Sequence, residues 1–148
     1  MPEWFSLSGW LRNRRRCASL LGWNATRMLD DPSRQWVLLQ TEGALWWNLG
    51  GSAVMIEQIE RIATAIDRPN VLLGIIPWQA LARVLPLHGF HLYDHRAVVV
   101  GTRSGTAIMG ERDVLDYEAL FDKLKDLAVF GGAARAALAR IADDYRSL

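Results

Sequence analysis

With Cys17 as its single cysteine, the 148-residue chain has no partner for an internal disulfide; that fits a reducing compartment, so a cytoplasmic protein is expected. Net charge is nearly absent. At +1 it gives no strong nonspecific hold on nucleic acid or on an anionic membrane, and neither is an expected partner. No apolar run reaches the length of a membrane span. The start MPEWFSLSGW lacks the basic and apolar regions of a signal peptide. The standard catalytic signatures are missing as well. There is no GxSxG, and Gly50-Gly51-Ser52 reads as a helix start. There is no P-loop and no GxGxxG after a strand, and Gly101 to Gly105 reads as a hairpin turn. CxxC and HExxH are absent, and His88, His91 and His95 have only Cys17 as a thiolate companion. No metal site and no cofactor are therefore expected.

What is present is an apolar, tryptophan-rich globular chain. Hydrophobic residues make up 51% and charged residues 22%, which suits one packed domain over residues 1–148. Seven tryptophans are the outlier. Indole offers large rigid apolar area with one N–H donor, which serves cores, interfaces and flat apolar ligands equally.

Periodicity divides the chain into a helical arm and loop over 1–35 and an α/β core over 36–148. Leu7, Trp10, Leu11, Ala18 and Leu21 share a helical face over 5–21, with Arg12, Arg14, Arg15 and Arg16 crowding the rest. With so little net charge, that basic run reads as a solvated face or a subunit contact. Asp30-Asp31-Pro32-Ser33 supplies a turn before a first strand over 36–41. Ser52 is placed to cap a helix over 53–66 whose apolar face is Met55, Ile56, Ile59, Ile62, Ala63 and Ile66. The uninterrupted apolar run 71–76 reads as a central strand ended by Pro77. A short helical turn follows over 79–87, broken at Pro86. Residues 89–93 and 97–102 form a hairpin around Asp94-His95-Arg96, with a short strand over 106–109. Asp113 is positioned to cap a helix over 114–129 with the stripe Leu115, Ala119, Leu120, Leu124 and Leu127, and the last helix spans 133–145. The predicted fold is an α/β (α+β) single domain with a mixed sheet of about five strands and helices packed on it.

The stretch WVLLQTEGALWWNLGG, residues 36–51, organises this plan. If strands 36–41 and 71–76 are parallel neighbours joined by the intervening helix, their C-terminal ends deliver Trp46, Trp47 and Trp78 to one edge. Gln40 and Glu42, two apart, share a face on a regular strand and form the candidate catalytic pair. Trp46, Trp47, Met55, Trp78, His91, Tyr93 and Met109 are the candidate substrate-binding residues. The alternative is a core strand with a hydrogen-bonded Glu42 and ordinary buried tryptophans.

Several segments resemble a known family, the C-terminal effector-type domain of actinomycete regulators with an N-terminal Cro/repressor-type helix-turn-helix. The resemblance is carried by the arginine-bearing first helix, Glu42-Gly43-Ala44-Leu45, and Gly50-Gly51 with Met55 and Gln58. It continues in Arg68-Pro69-Asn70-Val71 leading to Ile76-Pro77, in Phe90, and in Tyr117 with Leu120, Phe121, Asp122 and Leu124. It covers about 8–146, and it brings no catalytic assignment with it. The family's DNA-binding half needs about sixty residues ahead of this point, including a recognition helix, so direct DNA binding is not expected. Two functions fit these readings, the first preferred because a pocket alone is enough for it and the second its alternative. One is a cofactor-independent cyclase of secondary metabolism. It would fold a large apolar polyketide macrolactone for four-plus-two or six-plus-four cycloaddition by shape and hydrogen bonding. The other is a non-DNA-binding regulatory or ligand-sensing protein that acts by contact. A homodimer through the first helix is expected in either case, because Trp4, Phe5 and Trp10 are apolar.

Overall fold

The computed structural model describes residues 3–7, 29–48, 50–102 and 104–148. Of β1 (Glu3–Leu7) only the backbone is described. The basic run, Cys17, Trp10 and the remainder of the helix expected over 5–21 lie outside the described residues.

β1, β2 (Gln35–Thr41) and β3 (Val71–Ile76) are parallel, with Trp4 opposite Trp36 and Trp36 opposite Val71. Two four-to-six-residue strands, β4 (Phe90–Tyr93) and β5 (Ala97–Thr102), form the expected hairpin, and β6 (Gly105–Met109) extends it antiparallel. β7 (Val129–Phe130) closes the other side against β3. The sheet order is β6-β5-β4-β1-β2-β3-β7. β1 thus joins two three-stranded units, β6-β5-β4 and β2-β3-β7, into one mixed sheet.

The α+β single domain is as the sequence implies, with β1 and β7 added to the five expected strands. Residues 5–7 belong to a strand, which corrects the start of the expected helix. The chain at Glu3–Leu7 fills a slot between two strands and pairs with both, parallel to β2 and antiparallel to β4. That pairing is nonlocal, and helical periodicity does not register it.

Among the described residues, four helices of given bounds accompany the sheet: α1 (Glu42–Leu45), α2 (Ser52–Ala65), α3 (Glu111–Leu127) and α4 (Gly131–Ser147). Alternation along β2 and β3 sends residues to two separate cores. On one face Trp36, Leu73 and Ile75 meet Met55 and Ile59 of α2 and Leu138, Ile141 and Tyr145 of α4. On the other Val37, Leu39, Phe90, Leu92 and Val98 meet Val114, Phe121 and Leu124 of α3. The α2 face is the one the sequence indicates. Of the expected α3 stripe Leu124 is buried and Leu120 and Leu127 pack against the core, but Leu115 and Ala119 are exposed, and Val114 and Phe121 point inward instead. The caps are corrected likewise. Gly51, at φ 86, precedes α2, and Gly110 precedes α3, neither with a side-chain cap. Residues 79–87 form no helix.

Two interactions fix the strands that matter for the site. Asn70 is buried and its Nδ2 donates to the carbonyls of Leu29, Asp31 and Arg34 at 3.0, 3.0 and 3.2 Å, tying the loop before β2 to the start of β3. Gly74 stands opposite both Leu39 and Phe130. A Cβ there would come within 2.5 Å of the Phe130 ring and 2.9 Å of Leu39 Cδ2, so the absence of a side chain lets β7 dock.

Candidate functional site

Because β2 and β3 are parallel and in register from Trp36–Val71 to Thr41–Ile76, their following segments leave from the same edge. This is where open α/β sheets place ligands. Thr41 ends β2 and its Oγ1 accepts the Ala44 N–H at 3.4 Å, capping α1. Glu42 therefore sits in the first turn of a helix and not on the strand. The expectation that Gln40 and Glu42 share a strand face is corrected: strand alternation stops at Thr41.

Glu42 is only 3% exposed, and three elements converge on its carboxylate. Arg140 of α4 donates to Oε1 at 2.5 Å, the Trp46 indole N–H to Oε1 at 3.4 Å, and the Trp78 backbone N–H to Oε2 at 2.9 Å. Burial pushes the carboxyl up, but the Arg140 guanidinium, the Trp78 amide and the Trp46 indole together outweigh it and hold the group below its ordinary value. The group is an anion fixed by donors at both oxygens, which suits a structural latch and a hydrogen-bond acceptor better than a proton donor.

Around this latch lies an open hollow of about 310 Å³ lined by Glu42, Trp46, Trp78 and Gln79. That is the lower end of ligand-pocket volumes. Trp46 is half-buried; its ring stacks on Tyr145 with centroids 5.6 Å apart, and the Tyr145 hydroxyl donates to the Leu45 carbonyl at 3.0 Å. Trp78 is 70% exposed. Its benzo edge lies over Gly43, where a Cβ would meet Cζ3 at 2.5 Å. The ring is thus supported from one side and open on the other, the form of a stacking platform.

Of the sequence-derived candidates, Glu42, Trp46 and Trp78 are brought together. Trp47 follows Trp46 but stands in solvent outside the hollow. Gln40 is half-buried on β2 and does not line it. Met55 is fully buried in the α2–α4 core. His91 and Tyr93 lie on β4, two strands from β2, and burial lowers the His91 pKa. Met109, on β6, packs against the α3-side core. The sequence reading missed Gln79 and Arg140. Gln79 follows Trp78 directly, so the end of β3 could have signalled it. Arg140 reaches Glu42 across 98 residues of sequence and carries no local sign. Among the described residues there is no cluster of three or more His, Cys, Asp or Glu that could hold a metal, and no helix is long and apolar enough to cross a membrane.

The chain matches, over residues 10–140, the family described as Domain of unknown function (DUF5753). No curated protein and no solved structure matches it.

Proposed function

The chain belongs to the DUF5753 family, and on that premise we propose that it is a ligand-sensing regulatory domain whose Trp46–Trp78 edge takes up a planar, largely apolar small molecule. The observation that carries this reading is the Trp78 ring, backed by Gly43 and open to solvent, at the rim of a hollow also lined by Glu42, whose carboxylate Arg140 holds. An exposed indole held this way supplies apolar area at little entropic cost, and the polar groups on the lining, Glu42 and Gln79, orient a ligand's hydrogen-bonding group. The resemblance to the effector-type domain of helix-turn-helix regulators supports the same reading. Ligand uptake has a route to an output surface: Trp46 stacks on Tyr145 and Glu42 binds Arg140, so the hollow is tied at two points to α4.

A second reading, the cofactor-independent cyclase of macrolactone polyketides, is supported by the same indole walls. Shape-directed ring closure needs no free acid or base, and the Glu42 carboxylate is fully engaged. One experiment separates the two. The protein is titrated with a linear polyene macrolactone, following tryptophan quenching and, in parallel, product by mass-resolved chromatography. Saturable quenching without turnover, lost at least tenfold in Trp78→Ala, is the expected result. Turnover would replace sensing by cyclisation. Quenching unchanged in Trp78→Ala would remove the site from both readings.

A further inference from the structure

Residues 79–85, QALARVL, carry a helical sequence but hold no helix, and they begin on the lining of the hollow. Ala, Leu and Arg are strong helix formers, and Pro86 gives a natural stop. Leu81 and Leu85, four apart, are 78% and 77% exposed, while Ala80 and Val84, also four apart, pack against the α3-side core. In a helix of 3.6 residues per turn these pairs form two adjacent stripes about 100° apart. Winding would therefore set Ala80 and Val84 on one stripe and gather the two leucines on the next.

A reverse turn of the kind that can open such a helix stands at its start. The Ala80 N–H donates to the Pro77 carbonyl at 3.1 Å, and Pro77 stands where a helix accepts proline best, at its start. Its N-terminal donor is already satisfied, because Glu42 accepts the Trp78 N–H. A buried carboxylate at that point also favours the helix dipole. Beyond Ala80 the winding stops: the Ala82 N–H turns back to the Ala80 carbonyl at 2.8 Å, a tight turn that breaks the helical path. Capped, started and anchored, the segment lacks only something for Leu81 and Leu85 to cover, since a helix this short is marginal without tertiary contacts.

We propose that residues 79–85 are a lid that winds into helix over an apolar ligand stacked on Trp78, placing Leu81 and Leu85 against it. This rests on the ligand-binding reading above and narrows the ligand class. The molecule extends beyond the stacked planar portion, because the four-residue hollow alone engages one ring system, and it is the overhanging apolar part that the leucines cover.

The test uses all-trans retinol, elongated and apolar, with indole as the single-ring control, on the full chain. Binding is followed by tryptophan quenching and the lid by amide hydrogen exchange of a peptide spanning 79–85. Retinol is expected to slow exchange at Leu81 to Leu85 at least tenfold, and indole to leave it unchanged. Ala82→Gly, at an exposed position, is expected to weaken retinol binding about fivefold without affecting indole, the penalty of one glycine in a helix. Leu81→Ser with Leu85→Ser is expected to do the same. If retinol is bound and the binding is lost in Trp78→Ala, but exchange over 79–85 does not slow, the lid is refuted and the platform stands. If retinol and indole bind equally well to Trp78→Ala, the platform itself is refuted and the lid with it.

Discussion

Replacing Glu42 by Gln tests the latch while keeping its size. The carboxylate accepts three donors, two at Oε1 and one at Oε2. Glutamine has one oxygen. Its better orientation keeps the oxygen toward Arg140 and Trp46 and turns an NH2 group against the Trp78 N–H. One charge-assisted bond is then lost outright and a second becomes neutral, each worth about 1.5–3 kcal/mol. Arg140 is half exposed and recovers part of its hydration, so the net cost is about 3 kcal/mol. At this chain length that lowers Tm by about 6–12 °C.

The pH dependence follows from the direction of the shift. The folded carboxyl titrates below its ordinary value of 4.5, so its contribution is fully present above that value and is lost as pH falls through the folded pKa. Wild type should therefore lose part of its advantage over Glu42→Gln as pH is lowered below about 4.5. Calorimetric melts of both proteins from pH 7 to pH 3 make the comparison. A loss under about 1 kcal/mol at pH 7, or a gap that does not narrow in acid, would refute the latch.

Further outcomes follow from single contacts. Gly43→Ala puts a Cβ 2.5 Å from Trp78 Cζ3; the exposed ring swings away, so melting should change by less than about 1 kcal/mol while ligand affinity falls severalfold by titration. Asn70→Ala removes three bonds to carbonyls and should cost about 2–3 kcal/mol in urea unfolding, with the hollow unaffected at low denaturant. Gly74→Ala forces Phe130 or Leu39 to move and should destabilise by about 1–3 kcal/mol, read in the same assay.

The sequence disclosed elements whose pattern is local. β3 is one apolar run ended by Pro77, the β4–β5 hairpin alternates around its turn, and α2 repeats isoleucine at helical spacing. It hid what depends on distant partners. β1 looks helical because Leu7, Trp10 and Leu11 fit a 3.6 period, whereas two neighbouring strands decide its backbone. β7, two residues long, is below the reach of any period and exists because Gly74 leaves room for Phe130. In α3 the stripe of Leu120, Leu124 and Leu127 was legible, while Phe121 and Val114, off that spacing, also enter the core because β4 and β5 supply partners for them. At the site, Glu42, Trp46 and Trp78 were legible because parallel strands end together. Arg140 was not, since nothing near it in sequence marks its pairing with Glu42.

The most direct test of the Trp46–Trp78 platform is the indole N–H region of a ¹⁵N-correlated NMR spectrum, where seven tryptophans give seven signals assignable by Trp→Phe variants. Trp36, 9% exposed between β2 and the helices, serves as the internal control. On titration with a planar apolar ligand, the Trp46 and Trp78 signals should shift together and saturate while Trp36 stays in place. Shifts at Trp36 equal to theirs, or still signals at Trp46 and Trp78 while the ligand binds, would contradict the platform.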